Sequence, residues 1–136
     1  MNEFHQCRMK KFVFYLGLST LLTHELDAMS NHEWRVMPVL RALPDDIGML
    51  VFVAIHVPIL AGLLTLVANP NPRTRSLTRW GVSAFLVTHG LLHFLFIGYP
   101  GYEFSSLISK ILIFGGAALG IIYLALEGRD KCERAR

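Results

Sequence analysis

The chain has 136 residues, 53% of them apolar and 17% charged, with a formal net charge of +3 and a positive mean hydropathy. That is one domain's length, and it is too apolar for a soluble domain, whose surface needs more polar residues. No basic face is interleaved with aromatic residues, so no nucleic-acid partner is expected. The two cysteines, Cys7 and Cys132, stand one in each tail without CxxC spacing, so neither a disulfide framework nor a zinc knuckle is expected.

The charges fall in blocks between long apolar runs, the pattern of segments that meet lipid. A membrane-crossing helix needs roughly 20 apolar residues, and four segments are read as spans within a single membrane domain of residues 1–136: about 12–28, 48–68, 80–99 and 107–126. The first is the most polar, because its last third carries His24, Glu25 and Asp27. Its basic flank suggests a signal peptide, but no small-residue cleavage site follows, and a retained span is preferred. The second opens at Pro44-Asp45-Asp46, with acids at the positive end of the helix dipole, and stops at Asn69-Pro70-Asn71-Pro72. The third closes at Gly98-Tyr99-Pro100-Gly101 and the fourth at the polar tail from Glu127. The runs are too long, and alternate too little, for barrel strands. Helices satisfy their own backbone in lipid, so the expected fold is an all-α integral membrane four-helix bundle.

Orientation follows from the basic residues. The N-terminal tail has Arg8, Lys10 and Lys11, the loop between the second and third spans has Arg73, Arg75 and Arg79, and the C-terminal tail has Arg129, Lys131, Arg134 and Arg136. These share one side, and only Arg35, Arg41 and Lys110 fall on the other, which places both termini in the cytoplasm. Residues 29–43 are too short and too charged to span, and are read as an interfacial helix or an extension of the first span. In the fourth span Gly116 and Gly120 form a small-xxx-small pair, which permits close helix approach within the bundle or in a homo-oligomer.

The chemistry-bearing residues are histidines. Four of the six, His24, His56, His89 and His93, lie inside expected spans, where ionisable groups are costly and face the bundle interior or a cavity. Counting from the outer span ends, His56 lies roughly 12 Å deep and His93 roughly 9 Å, with His89 one turn deeper and His24 near the end of its span. All four therefore fall at similar levels in the outer half of the membrane, from three helices. His89 and His93 share a face at i, i+4, as do His24 and Asp27 at i, i+3. Asp27 is placed to accept from a histidine ring or to serve as a ligand. Thr20 and Thr88 are candidates for hydrogen bonds to the cluster, and Glu25 points about 100° away from His24.

Two readings compete. One is a site holding a transition metal ion (zinc, iron or copper) or a haem with axial histidines, built from His24, Asp27, His56, His89 and His93. The other is a structural or proton-handling polar network in an accessory or assembly subunit of a larger membrane complex. No enzymatic class is indicated: there is no HExxH, no Gly-rich phosphate loop and no nucleophile context for Ser19 or Ser83.

Several stretches carry a resemblance: Thr23-His24-Glu25-Leu26-Asp27-Ala28, Glu33-Trp34-Arg35, Leu43-Pro44-Asp45-Asp46-Ile47-Gly48, His56-Val57-Pro58, Thr88-His89-Gly90-Leu91-Leu92-His93 and Tyr102-Glu103-Phe104-Ser105-Ser106. In these the chain resembles an uncharacterised family of small bacterial four-helix membrane proteins. The resemblance spans about residues 12–127. It implies a four-helix membrane fold in the bacterial inner membrane and carries no catalytic residue.

Overall fold

The computed structural model describes residues 3–127. The basic residues Arg129, Lys131, Arg134 and Arg136 and the second cysteine, Cys132, which entered the orientation and disulfide arguments, lie outside the described residues.

The chain is all-α. Its four long helices are α1 (Glu3–Ser30), α2 (Asp45–Val67), α3 (Pro72–Phe96) and α4 (Leu107–Glu127). Two of them, α2 and α4, are long and apolar enough to cross a membrane. Two short 3₁₀ turns, Glu33–Arg35 and Leu40–Ala42, lie between α1 and α2, in the segment read as an interfacial helix.

Local chemistry explains where the helices begin. Asn71 caps α3: its side-chain oxygen accepts from the backbone N–H groups of Arg73 at 2.9 Å and Thr74 at 3.3 Å, and Pro72 follows where its missing N–H costs nothing. The cap starts α3 eight residues before Trp80, the point at which its apolar run begins, because a capped N-terminus admits arginines as readily as leucines. The helix α2 opens with Asp45 and Asp46 in its first turn. Between α3 and α4 the chain turns on Gly98 and Gly101, at φ 90° and 88°, values that side-chain-bearing residues rarely adopt.

Helix α4 packs closely against both α1 and α3. Glycines set that distance. A Cβ on Gly120 would sit 2.6 Å from the Ser83 carbonyl oxygen, and one on Gly90 would sit 2.6 Å from the Ala117 Cβ. The Gly116/Gly120 pair is thus used inside the bundle, against Leu86, Thr20 and Ser83. Two buried clusters fill the ends: Phe14, Leu18, Val82 and Tyr123 at one, and Ala28, Trp34, Phe52, Phe104 and Ile113 at the other. The first end is tied by the Lys10–Glu127 ion pair and by the buried Arg79 guanidinium, 5.4 Å from the Phe14 ring centre and 5.7 Å from that of Tyr15. The helix α2 is set apart from this three-helix core. It touches α3 sparsely, is held by the linker and leaves most of its residues exposed.

The α3–α4 approach gives a direct test. Gly120→Ala should destabilise the protein by about 1–3 kcal/mol, because the new methyl meets backbone that cannot yield. Gly115→Ala, on the same helix with nothing within 4 Å of its Cβ, should be neutral or gain up to about 1 kcal/mol from helix propensity. Thermal melts of the two variants decide the point; equal effects would mean that the helices are not in contact at Gly120.

Candidate metal centre

At the Trp34 end of the bundle, α1 and α3 run side by side and the 3₁₀ turn at Glu33–Arg35 folds over them. The i, i+4 spacing puts His89 and His93 on one face of α3, with ring centres 4.5 Å apart. His24 on α1 meets both, at 4.8 Å and 5.1 Å. Glu33 comes down from the linker between them. Its Oε2 lies 3.4 Å from His24 Nε2 and its Oε1 lies 3.6 Å from His93 Nε2. One donor atom from each of His24, Glu33, His89 and His93 can be chosen so that all four lie within 4.8 Å of one another.

The cluster is sealed on one side. Phe104, 1% exposed, stacks its edge on His93 at 4.7 Å and leans on His24 at 5.5 Å. Tyr102 Oη is 3.2 Å from His93 Nδ1, which orients that ring and leaves Nε2 facing Glu33. His24 is 1% exposed, yet both of its ring nitrogens lack a hydrogen bond, as does the buried Nε2 of His89. Buried polar atoms in folded proteins are ordinarily paired; here His24 Nε2 faces Glu33 at 3.4 Å and Nδ1 faces Asp27 at 4.0 Å, so the cluster has donors free to hold a metal ion.

Glu33 explains how a carboxylate persists there. Burial pushes its carboxyl up, but the His24 and His93 rings beside it outweigh burial and hold it well below the usual carboxylate range. It is ionised at neutral pH and available as a donor.

The other residues singled out from the sequence have different places. Asp27 lies beside His24 with Oδ2 4.0 Å from Nδ1, behind the four donors. His56 stands across on α2, where its Nε2 is 2.8 Å from Glu25 Oε2 and its Nδ1 donates to the Phe52 carbonyl at 2.5 Å. Glu25, which points away from His24 around the helix, thereby ties α2 to α1. Thr20 and Thr88 bond the Leu16 and Ala84 carbonyls of their own helices, at 2.8 Å and 3.1 Å, the usual recourse of a helical threonine. The donor that sequence reasoning missed is Glu33. Helical spacing is silent about a residue in a linker; the Glu33-Trp34-Arg35 triplet was the available signal. Around it, Trp34 Nε1 donates to Asp45 Oδ1 at 2.9 Å, Arg35 grips Asp45 with two nitrogens, and His32 and Arg35 both meet Glu103. Two anchors therefore fix the turn that presents Glu33.

A family model described as a family of unknown function, DUF6713, matches residues 10–130. The chain belongs to this family. The match takes in all four donors, His56 and both anchors of the Glu33 turn. Comparison with curated proteins gives no match, and neither does comparison with solved structures.

The anchors of the turn predict a pH dependence. The His32 ring and the Arg35 guanidinium hold the Glu103 carboxyl below its ordinary 4.5. A depressed carboxyl contributes stability above its unfolded-state pKa and loses it as pH falls through the folded value. Acidification from about pH 5 downward should therefore lower the melting temperature, and Glu103→Gln should show a smaller fall over that window. An identical acid profile in the variant would mean that the contact contributes nothing.

Proposed function

We propose that this is a four-span membrane protein whose His24–Glu33–His89–His93 cluster binds one divalent transition metal ion, zinc or ferrous iron. The observation that carries the reading is His24: a buried imidazole whose two nitrogens make no hydrogen bond and face the carboxylates of Glu33 and Asp27, beside three other donors that lie within 4.8 Å of one another. Ligands at 2.0–2.1 Å around a tetrahedral ion lie about 3.3 Å from one another. The Glu33 contacts at 3.4 Å and 3.6 Å are near that value, and the other donor separations, up to 4.8 Å, must close by side-chain rotation when an ion binds. Three imidazoles and a carboxylate suit zinc or iron and lack the soft sulfur that cuprous copper favours. Convergence on one point also favours a bare ion over haem, whose macrocycle needs a slot between two axial rings. Tyr102 on His93 Nδ1 and Asp27 near His24 Nδ1 are placed as the outer groups that orient metal-binding histidines.

The membrane reading is supported by the apolar lengths of α2 and α4 and by the way the ionisable groups of α1 and α3 are turned to partners inside the bundle, Lys10 to Glu127, Glu25 to His56, and His24 and His93 to Glu33, as polar groups in a bilayer must be. In this reading both termini are cytoplasmic, the site lies in the outer half of the membrane, and the 31–43 linker rests at the outer interface. The ten-to-three distribution of basic residues draws on three separate segments.

Protein purified in mild detergent should carry one zinc or iron per chain by elemental analysis, with no Soret band. His24→Ala should weaken the binding at least about tenfold, since even outer-shell changes cost that much, while His56→Ala should leave metal content unchanged. Background metal in the wild type, or equal content in His24→Ala, would defeat the reading. Orientation is checked separately: fused after Arg136, green fluorescent protein should fluoresce and alkaline phosphatase should be inactive, and the reverse pattern would overturn the topology.

A further inference from the structure

A cavity of about 580 Å³ lies between α1, α2 and α3, within the range of small-molecule sites. Its walls are apolar and come mainly from α2 and α3, with Ile55, Ile59, Leu63, Val82 and Phe85 among them. From Phe52 to Leu63 the α2 wall runs roughly 16 Å at helical rise, so the space is long and narrow. All its polar groups gather at one end: Glu25, Glu33, His56, His89, His93 and Tyr102.

The metal site meets the cavity on one side only. Glu33, His89 and His93 line it, whereas His24 does not, and Phe104 closes the side toward the 97–106 loop. Anything that reaches these donors therefore comes along the apolar space. A wholly polar occupant such as a sugar would leave those walls without a partner. The lining holds two carboxylates, Glu25 and Glu33, and no lysine or arginine, so no cationic side chain there awaits an anionic head group. The buried Nε2 of His89 makes no hydrogen bond, and a hydroxyl, which both donates and accepts, satisfies it in either tautomer; with an ion held by the cluster, the hydroxyl's oxygen would face the ion instead.

We infer that the cavity is a binding pocket for a neutral long-chain alcohol, its chain between α2 and α3 and its hydroxyl at His89. The inference deepens the metal reading by naming the ligand class of that site, but its head-group contact stands with or without the ion.

The test uses the full chain in phosphatidylcholine nanodiscs with dodecanol carrying a mid-chain diazirine. Illumination should label residues 55–63 and 81–92 saturably, with competition by 1-dodecanol and not by dodecanoate. Gly81 lines the pocket and has nothing within 4 Å of an added Cβ, so Gly81→Phe begins its side chain in open space at the pocket wall. It should reduce labelling at least about tenfold, as steric loss of a few methylenes' worth of pocket does, while the metal content stays unchanged. Labelling that rises in proportion to probe, spreads over the exposed faces of α2 and α4, or survives Gly81→Phe would show ordinary lipid contact and overturn the inference. The two readings fail separately. Saturable labelling on metal-free wild type defeats the metal reading alone; one ion per chain with unsaturable labelling defeats the pocket alone.

Discussion

The arrangement depends on one partly buried carboxylate. Glu33 is held between His24 and His93, whose rings offset the cost of withdrawing its charge from water. That constraint joins three parts of the chain at once: α1, α3 and the linker that returns toward α2. The glycines of the α3–α4 contact act at a distance on the same point. By letting α4 lie against Ser83 and Leu86, they fix how α3 stands relative to α1, and so the separation of His24 from His89 and His93.

The linker serves presentation more than coverage. Trp34 is buried, and its indole N–H and the Arg35 guanidinium both end on Asp45, the first residue of α2. A short turn fastened at that point has little freedom, and Glu33 is its first residue. The same fastening holds the start of α2 to the bundle, while the Glu25–His56 contact holds it a few turns further along. Between these two ties and Val67, which joins the buried cluster at the far end, α2 is free to stand off. The long cavity is the space that remains.

Much of this was legible in the sequence, for identifiable reasons. The long apolar runs and the breakers at Asn69–Pro72 and Gly98–Gly101 mark four helices, because proline and glycine act locally. The pairing of His89 with His93 is a consequence of 3.6 residues per turn, and similar depth along three segments brought His24 to the same level. What remained hidden depended on rotation and on irregular backbone. Depth alone does not say which way α2 turns, and so His56, at a similar level, meets Glu25 on α1 and not the three other histidines. Glu33 sits in a linker whose path follows from tertiary anchors at Asp45 and Glu103, about which local periodicity says nothing. The early start of α3 was hidden because hydropathy locates apolar runs, whereas a helix begins at its cap.

The division of labour among the helices follows from the same physics. The ionisable groups of α1 and α3 are turned to partners on other elements: Lys10 to Glu127 of α4, Glu25 to His56 of α2, and His24 and His93 to Glu33 of the linker. The helix α4 is held mainly by its glycines: close backbone approach at Gly116 and Gly120 supplies dispersion contacts. The helix α2 has neither device over most of its length. Its one inward ionisable group, His56, is satisfied by Glu25, and its bulky Ile55, Ile59 and Leu63 keep the α3 backbone at a distance. A gap beside a polar cluster is thus the expected product of one apolar helix tied at its ends, and the histidines of α3 line a space whose other walls are apolar.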